Sequence, residues 1–100
     1  MNRTLVNPWP WSLAYGYNQA EVIEGATRQL ICAGQTAVDG TGAPQHDGDM
    51  RAQIRQVFSN IRTALASAGA TFADVVKRQT FTTDIEAYYQ HIDARMEFCG

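Results

Sequence analysis

The stretch that decides the fold is residues 28–39, which read Arg-Gln-Leu-Ile-Cys-Ala-Gly-Gln-Thr-Ala-Val-Asp. Its apolar run over residues 30–33 is typical of a β-strand and leads directly into Gly34. Because glycine has no Cβ, it lets a second backbone or a small ligand approach the end of that strand closely. Close packing within a sheet is the alternative role for this glycine. The neighbouring segments extend this strand into a larger pattern.

Three strands and two turns are predicted around this stretch. Residues 15–23 and 29–36 predict a β-hairpin, joined through the glycine-containing turn of residues 24–27. Residues 39–42, Asp-Gly-Thr-Gly, predict a second turn because they tolerate positive φ. Residues 43–46 are predicted to form a short edge strand, since a proline within them cannot donate to a sheet interior.

Two amphipathic helices and one more strand are predicted in the second half of the chain. Apolar residues recur at spacings of three and four over residues 50–68, and Gly69 is placed to end that helix. Residues 75–82 predict a strand, and Thr83-Asp84-Ile85-Glu86 predicts a capping box that opens the second helix. The order β-β-(β)-α-β-α predicts one α+β domain over residues 1–100, a two-layer sandwich with both helices on one face of a mixed sheet.

The first residues predict an irregular N-terminal arm over residues 1–11. Pro8 and Pro10 each remove a backbone donor and restrict the residue before them. We expect Trp9 and Trp11 to pin this arm to the body of the protein or to a neighbouring subunit. A ligand-facing role is the alternative for the two tryptophans.

Composition and charge argue against several classes of function. The chain of 100 residues carries eight basic and ten acidic side chains, and its net charge of −2 argues against a nucleic-acid partner. Arg51, Arg55 and Arg62 share a helix face, which we interpret as a solvated surface. No apolar run is long enough for a membrane helix, and no signal-peptide pattern is present. Cys32 and Cys99 lack metal or redox spacing, so free thiols in the cytoplasm are expected.

Several segments in a fixed order make the chain similar to the RidA/YjgF family of reactive-intermediate (enamine/imine) deaminases. They are Tyr17-Asn18-Gln19, Ala33-Gly34-Gln35, the first helix with Asn60 and Ala68-Gly69-Ala70, Asp74-Val75-Val76-Lys77, and Thr83-Asp84. The resemblance implies a chorismate-mutase-like fold in a homotrimer, with a central barrel of sheets, helices outside, and ligand clefts at the subunit interfaces. It also implies hydrolysis of a small enamine or imine carboxylate to a keto acid and ammonia, with no cofactor and no metal.

The resemblance also implies roles for single residues. Tyr17 takes the catalytic position as a cleft-lining aromatic whose hydroxyl reaches a ligand or water, and a packed strand aromatic is the alternative. The segment Ala33-Gly34-Gln35 is expected to present backbone groups to the substrate. Arg78 is not a family position, but it alternates with Lys77 along the predicted strand and would supply a positive charge to the cleft, with a solvent or trimer-interface position as its alternative. Ile92 occupies a substrate-lining position on the second helix.

The sequence departs from the family pattern at three places. Ala33 stands where many deaminases of the family carry serine, and Ile92 stands where asparagine is common. The sequence ends at Gly100, where the family continues into two strands that bear an anchoring arginine and a carboxylate. We expect a truncated gene product rather than a protein without those strands, because their absence would leave a long unpaired sheet edge.

These observations predict an enzyme and leave two alternatives. The leading hypothesis is hydrolytic deamination of a small imine or enamine, and a ring-fission-product deaminase of aromatic catabolism is an equal variant. A non-catalytic member that binds a small metabolite or a protein in the same interfacial cleft is the alternative. A purely structural assembly subunit is the third hypothesis.

Overall fold

A computed structural model of the chain describes residues 1–98. The chain divides into two compact units, one of residues 1–31 and one that begins at residue 32. Both strands and helices are present, which fits the predicted α+β class. Cys32 is an exposed free thiol, whereas Cys99 lies outside the described residues.

The first unit is built on a two-stranded antiparallel sheet. Strand β1 (Asn2–Val6) pairs with strand β2 (Ala20–Glu24) in a register that places Asn2 opposite Glu24 and Val6 opposite Ala20. A 3₁₀ helix (Pro10–Tyr15) connects them, and its fixed-φ proline stands in the first turn, where no backbone donor is needed.

The pairing of β2 corrects the predicted hairpin. Its partner is β1, which the sequence analysis had included in an irregular arm, and not residues 29–36. A bidentate ion pair fixes this pairing, because the Arg3 guanidinium donates to both Glu21 carboxylate oxygens, with a closest distance of 2.8 Å. These two residues are 18 positions apart, so a local sequence pattern could not predict the pairing.

The second unit is organised around one long helix. Helix α1 (Met50–Ser67) begins at the Asp49 cap, whose carboxylate accepts a hydrogen bond from the Ala52 N–H at 3.1 Å. Gly69 follows the helix in the left-handed region at φ 77°, as its sequence position predicts. A second 3₁₀ helix (Phe72–Asp74) comes next, followed by helices α2 (Ile85–Gln90) and α3 (Ile92–Met96).

Three predicted strands also differ from the sequence prediction. Residues 29–36 and 75–82 form no strand, and the predicted strand over residues 43–46 is reduced to one bridge between Val38 and Pro44. Isolated segments cannot satisfy a ladder of backbone hydrogen bonds without a neighbouring strand, which is why their β-rich composition alone does not suffice.

The second predicted helix is also different in detail. Asp84, and not Thr83, caps α2, since its carboxylate accepts from the Ala87 N–H at 3.1 Å. The capping box lies at the preceding 3₁₀ helix, where Thr71 and Asp74 bond each other's backbone. His91 then separates α2 from α3.

The core of this unit forms where α2 and α3 pack on α1. Phe58 stacks on Phe98 at a centroid distance of 6.0 Å, and Phe72 contacts both rings. The buried residues of the cluster are Ile54, Phe58, Tyr88 and Ala94, with Met50, Ile61, Phe72, Ile92 and Phe98 packed against them.

Two ion pairs join α1 to α3 across the surface. Arg51 pairs with Asp93, and one turn further along both helices Arg55 holds Glu97 in a bidentate contact of 2.8 and 3.1 Å. Hydrogen bonds from these arginines lower the pKa of the Asp93 and Glu97 carboxyls below their ordinary values. Of the three arginines predicted to be solvated, two are therefore paired with carboxylates.

These pairs predict an acid-dependent stability. Because the folded-state pKa values of Asp93 and Glu97 are lowered, the two ion pairs contribute fully to the free energy of unfolding above the unfolded pKa values of about 4. This contribution is lost as the pH falls through the lower folded pKa values. We expect the urea midpoint of the chain to fall more steeply between pH 5 and pH 2 than that of a variant with Asp93→Asn and Glu97→Gln. Glu86→Gln, which changes another exposed carboxylate, should keep the wild-type slope. Equal slopes in all three proteins would contradict the assignment.

Candidate functional site

Tyr17 follows the first 3₁₀ helix and is placed by its backbone. Gly16 takes a left-handed conformation at φ 80°, which turns the chain out of the helix. The Tyr17 N–H then donates to the Ser12 carbonyl at 3.3 Å. The side chain is accessible, since 47% of the residue is exposed. An accessible phenol can both donate and accept a hydrogen bond.

Trp11 is the aromatic centre of this region. Its ring meets the Tyr17 ring edge to face at a centroid distance of 5.9 Å and an interplanar angle of 84°. The Tyr15 ring meets it in a similar way at 6.4 Å and 71°. We call these three residues the aromatic cluster. A ligand-facing Trp11 is one of the two roles that the sequence allows. Its contact with Tyr17 could not be predicted from a local pattern.

Polar side chains fix the residues that follow Tyr17. The Asn7 amide nitrogen donates to the Asn18 side-chain oxygen, and the Asn7 oxygen accepts from the Gln19 N–H, both at 3.0 Å. Asn7 directly follows β1 and Gln19 directly precedes β2, so this network ties the loop ends to the paired strands. The position of the Tyr17 backbone is therefore set by hydrogen bonds on both sides.

The segment Ala33-Gly34-Gln35 is exposed apart from its half-buried last residue. The Gln35 amide donates to the Ala33 carbonyl at 3.3 Å. A Cβ added at Gly34 would meet no heavy atom of the described residues within 4 Å, so close packing on the glycine is not seen within this chain. The end of the segment is held by α1, because the Asn60 amide donates to the carbonyls of Thr36 and Val38 at 3.1 and 2.9 Å.

A cleft of about 470 Å³ lies between α1 and the extended residues 78–83. Arg78 is part of its wall, with the guanidinium carbon 5.5 Å from the centroid of the Phe58 ring. The helix side of the cleft is mainly apolar, and the opposite side carries hydroxyl and amide groups. The lining residues are Met50, Gln53, Ile54, Val57, Phe58, Ile61, Arg78, Gln79, Thr80, Phe81, Thr82, Thr83 and Tyr88.

This arrangement suits a small anion with an apolar part. An arginine can bind a carboxylate through two parallel hydrogen bonds, and apolar walls weaken the competition from water. Ile92, for which the resemblance implies a substrate-lining position, packs against the core cluster. Tyr88 lines the cleft, although the sequence pattern indicated only an apolar helix position for it.

The described part of the chain has neither a metal cluster nor a membrane span. Within residues 1–98, no group of three or more histidine, cysteine, aspartate or glutamate side chains is placed to hold a metal ion. No helix among these residues has the length and the apolar character needed to cross a membrane.

Comparison with solved structures supports the overall fold. The chain is similar to the crystal structure of YyfB, a protein of unknown function of the conserved Rid protein family from Yersinia pestis. The TM-score is 0.74 at 33% sequence identity, over 96% of this chain and 74% of that chain.

Sequence comparisons identify further similar proteins. The family model described as endoribonuclease L-PSP matches residues 11–99. The RutC family protein YjgH of Escherichia coli is 35% identical over 63 residues, which cover 63% of this chain and 47% of that protein. The RutC family protein PH0854 of Pyrococcus horikoshii is 31% identical over 71% of this chain and 56% of that protein. The chain thus spans about half the length of these curated relatives. By its family match and its structural neighbour, the chain belongs to the RidA/YjgF family.

Proposed function

We propose that the chain hydrolyses a small reactive enamine or imine that carries a carboxylate, and that it releases a keto acid and ammonia. In this proposal the reaction takes place in a cleft between the subunits of a homotrimer and uses no cofactor. The observation that carries the proposal is the family match over residues 11–99. The same family includes proteins of unknown function, so the activity rests on chemistry that can be tested directly.

The reaction needs three groups in place. The imine nitrogen is protonated, and the oxygen of a water forms a bond to the imine carbon. One proton of that water is then transferred to the amino nitrogen of the resulting carbinolamine. The C–N bond breaks, nitrogen leaves as ammonia, and the remaining hydroxyl proton passes to solvent or a base as the C=O bond forms. Catalysis therefore requires a proton donor, a positioned water and an anchor for the substrate carboxylate.

Arg78 and Tyr17 supply two of these groups in our proposal. Arg78 is a permanently charged anchor on the wall of a cleft with apolar sides. Tyr17 has an accessible phenol on a backbone fixed by hydrogen bonds, which suits a donor to the imine nitrogen or to the attacking water. Backbone groups of the exposed segment at Gly34 are available to hold the water.

A non-catalytic member that binds a small metabolite or a protein is the second candidate. Ala33 and Ile92 favour it, because neither side chain can donate the hydrogen bond that serine or asparagine would offer to a water. Such a protein would be stabilised by a keto acid without releasing ammonia from an imine.

Imine turnover tests the proposal. An L-amino-acid oxidase with catalase generates a 2-imino acid in situ, and we expect the purified chain to speed ammonia release over buffer and over an unrelated protein. Tyr17→Phe should lower kcat/KM about tenfold, which corresponds to the loss of one hydrogen bond in the transition state.

Tyr15→Phe is the matched control for this variant. It also removes one phenolic hydroxyl from the aromatic cluster and keeps the ring, so wild-type turnover is expected. Ammonia release no faster than with the unrelated protein would refute the proposed imine hydrolysis. Stabilisation by a keto acid without turnover would favour the second candidate.

A further inference from the structure

We infer that Trp11 and Tyr15 form a side-chain subsite beside Tyr17, and that this subsite favours imines with an apolar side chain over small ones. The inference rests on the proposed function, in which Tyr17 acts at the imine. Trp11 and Tyr15 thereby have a role in substrate specificity, in addition to their place in the first unit.

The aromatic cluster is largely exposed. Trp11 is 57% exposed and Tyr15 is 69% exposed, although both carry large apolar rings. The Trp11 ring contacts both the Tyr15 ring and the Tyr17 ring, so the three side chains form one aromatic surface centred on Trp11 rather than scattered side chains. Continuous apolar surface of this kind marks binding sites in soluble proteins.

The cluster is also held in place before a ligand arrives. Trp11 and Tyr15 lie on one short 3₁₀ helix, and the Gly16 N–H closes that helix by donating to the Leu13 carbonyl at 3.2 Å. Aromatic side chains have only two rotatable bonds, so little conformational entropy is lost when a ligand covers them. When a ligand buries its apolar atoms on such a preorganised surface, little entropy is lost, and the affinity is therefore higher.

The chemistry follows from the contact between Trp11 and Tyr17. A substrate that places its imine at the Tyr17 hydroxyl has its side chain within reach of the rings that pack on Tyr17. A branched aliphatic side chain would lose water against the indole, whereas a single methyl group would bury little area. Discrimination between such substrates by an apolar pocket amounts to about 10- to 200-fold in kcat/KM.

The test compares two imines in wild type and three variants. The oxidase supplies one imine from leucine and one from alanine, and kcat/KM is measured for each. We expect wild type to favour the leucine-derived imine by about tenfold or more. Trp11→Ala should lower that preference about tenfold, because kcat/KM falls much more for the leucine-derived imine than for the alanine-derived imine. Trp9→Ala should preserve both rates.

Trp9 is a close control for Trp11. It is the other tryptophan of the same segment and is 61% exposed, and no ring contact joins it to Tyr17 within residues 1–98. Trp11→Phe, which keeps a smaller ring, should give an intermediate preference. A far-ultraviolet circular dichroism spectrum confirms that each variant is folded before its kinetics are compared.

The outcomes separate this inference from the proposed function. If wild type hydrolyses both imines with equal kcat/KM, or if Trp11→Ala lowers both rates alike, the subsite is overturned and the deaminase stands. If neither imine is hydrolysed, the proposed function fails. The subsite is then decided by isothermal titration calorimetry, which should show tighter binding of 4-methyl-2-oxopentanoate than of pyruvate, a preference lost in Trp11→Ala. Equal binding of the two keto acids would overturn it.

Discussion

Phe58→Ala is expected to lower the free energy of unfolding by about 3–5 kcal/mol. Phe58 is 4% exposed and touches the Phe72 and Phe98 rings on one side and the Arg78 guanidinium on another. Its removal takes away the transfer free energy of a buried ring and leaves a cavity between α1 and the C-terminal residues that pack on it. A chain of this size has about 5–15 kcal/mol of total stability, so the loss is a large fraction of it.

Phe81→Ala is the matched control for this experiment. Phe81 is 90% exposed on the open side of the cleft, so the same chemical change should alter the free energy by no more than about 0.5 kcal/mol. Urea titrations of both variants give the comparison, and Phe58→Leu provides a milder variant if the alanine form does not fold. Similar losses in the two alanine variants would contradict the placement of the core.

Arg78→Gln is expected to lower kcat/KM for imine hydrolysis by about 10- to 100-fold. A charge-assisted hydrogen bond to a substrate carboxylate contributes about 1.5–3 kcal/mol, which corresponds to this range. The loss should appear mainly in KM if Arg78 binds the ground state and the transition state equally. The measurement is the same ammonia-release assay, carried out over a range of imine concentrations.

Lys77→Gln separates the role of Arg78 from a general effect of charge. Lys77 is the preceding residue, is exposed, and is not among the residues that line the cleft. We expect it to keep wild-type kinetics. Because Arg78 also lies over the Phe58 ring, the urea midpoint of each variant should be measured in parallel. Equal losses of activity in the two variants would exclude Arg78 as the anchor.

The helices were the most predictable part of the fold, because their determinants are local. The apolar spacing, the Asp49 cap and the left-handed Gly69 all act within a few residues of one another, and α1 has the predicted bounds to within a residue or two. The turn that begins at Asp39 is predicted for the same reason. Its carboxylate accepts from the N–H groups of Thr41 and Ala43 within the same loop.

Strand pairing could not be predicted in the same way. A β-rich segment becomes a strand only beside a partner, and the partner is chosen by distant residues such as Arg3 for Glu21. Residues 29–36 and 75–82 have strand-like composition and yet form no strand within residues 1–98. The prolines at positions 8 and 10 favoured an irregular arm over residues 1–11, although β1 ends at Val6, before both prolines.

The candidate site was predicted mainly through resemblance rather than through local pattern. Tyr17 was named from the family and Arg78 from its place beside Lys77 on a predicted strand, and the structure gives Tyr17 an accessible ring and Arg78 a place on a cleft. The roles of Ala33, Gly34, Gln35 and Ile92 stay predictions. The contact of Trp11 with Tyr17 depends on a left-handed Gly16 between the helix and the next strand, which no residue periodicity indicates.

Trapping of the free imine by semicarbazide tests the central claim most directly. Semicarbazide competes with hydrolysis for a 2-imino acid released at a constant rate by the oxidase. If the chain is a deaminase, increasing amounts of it will lower semicarbazone formation in proportion, while oxidase turnover stays constant and ammonia appears sooner. Semicarbazone formation that does not change at any concentration of the chain would contradict the account.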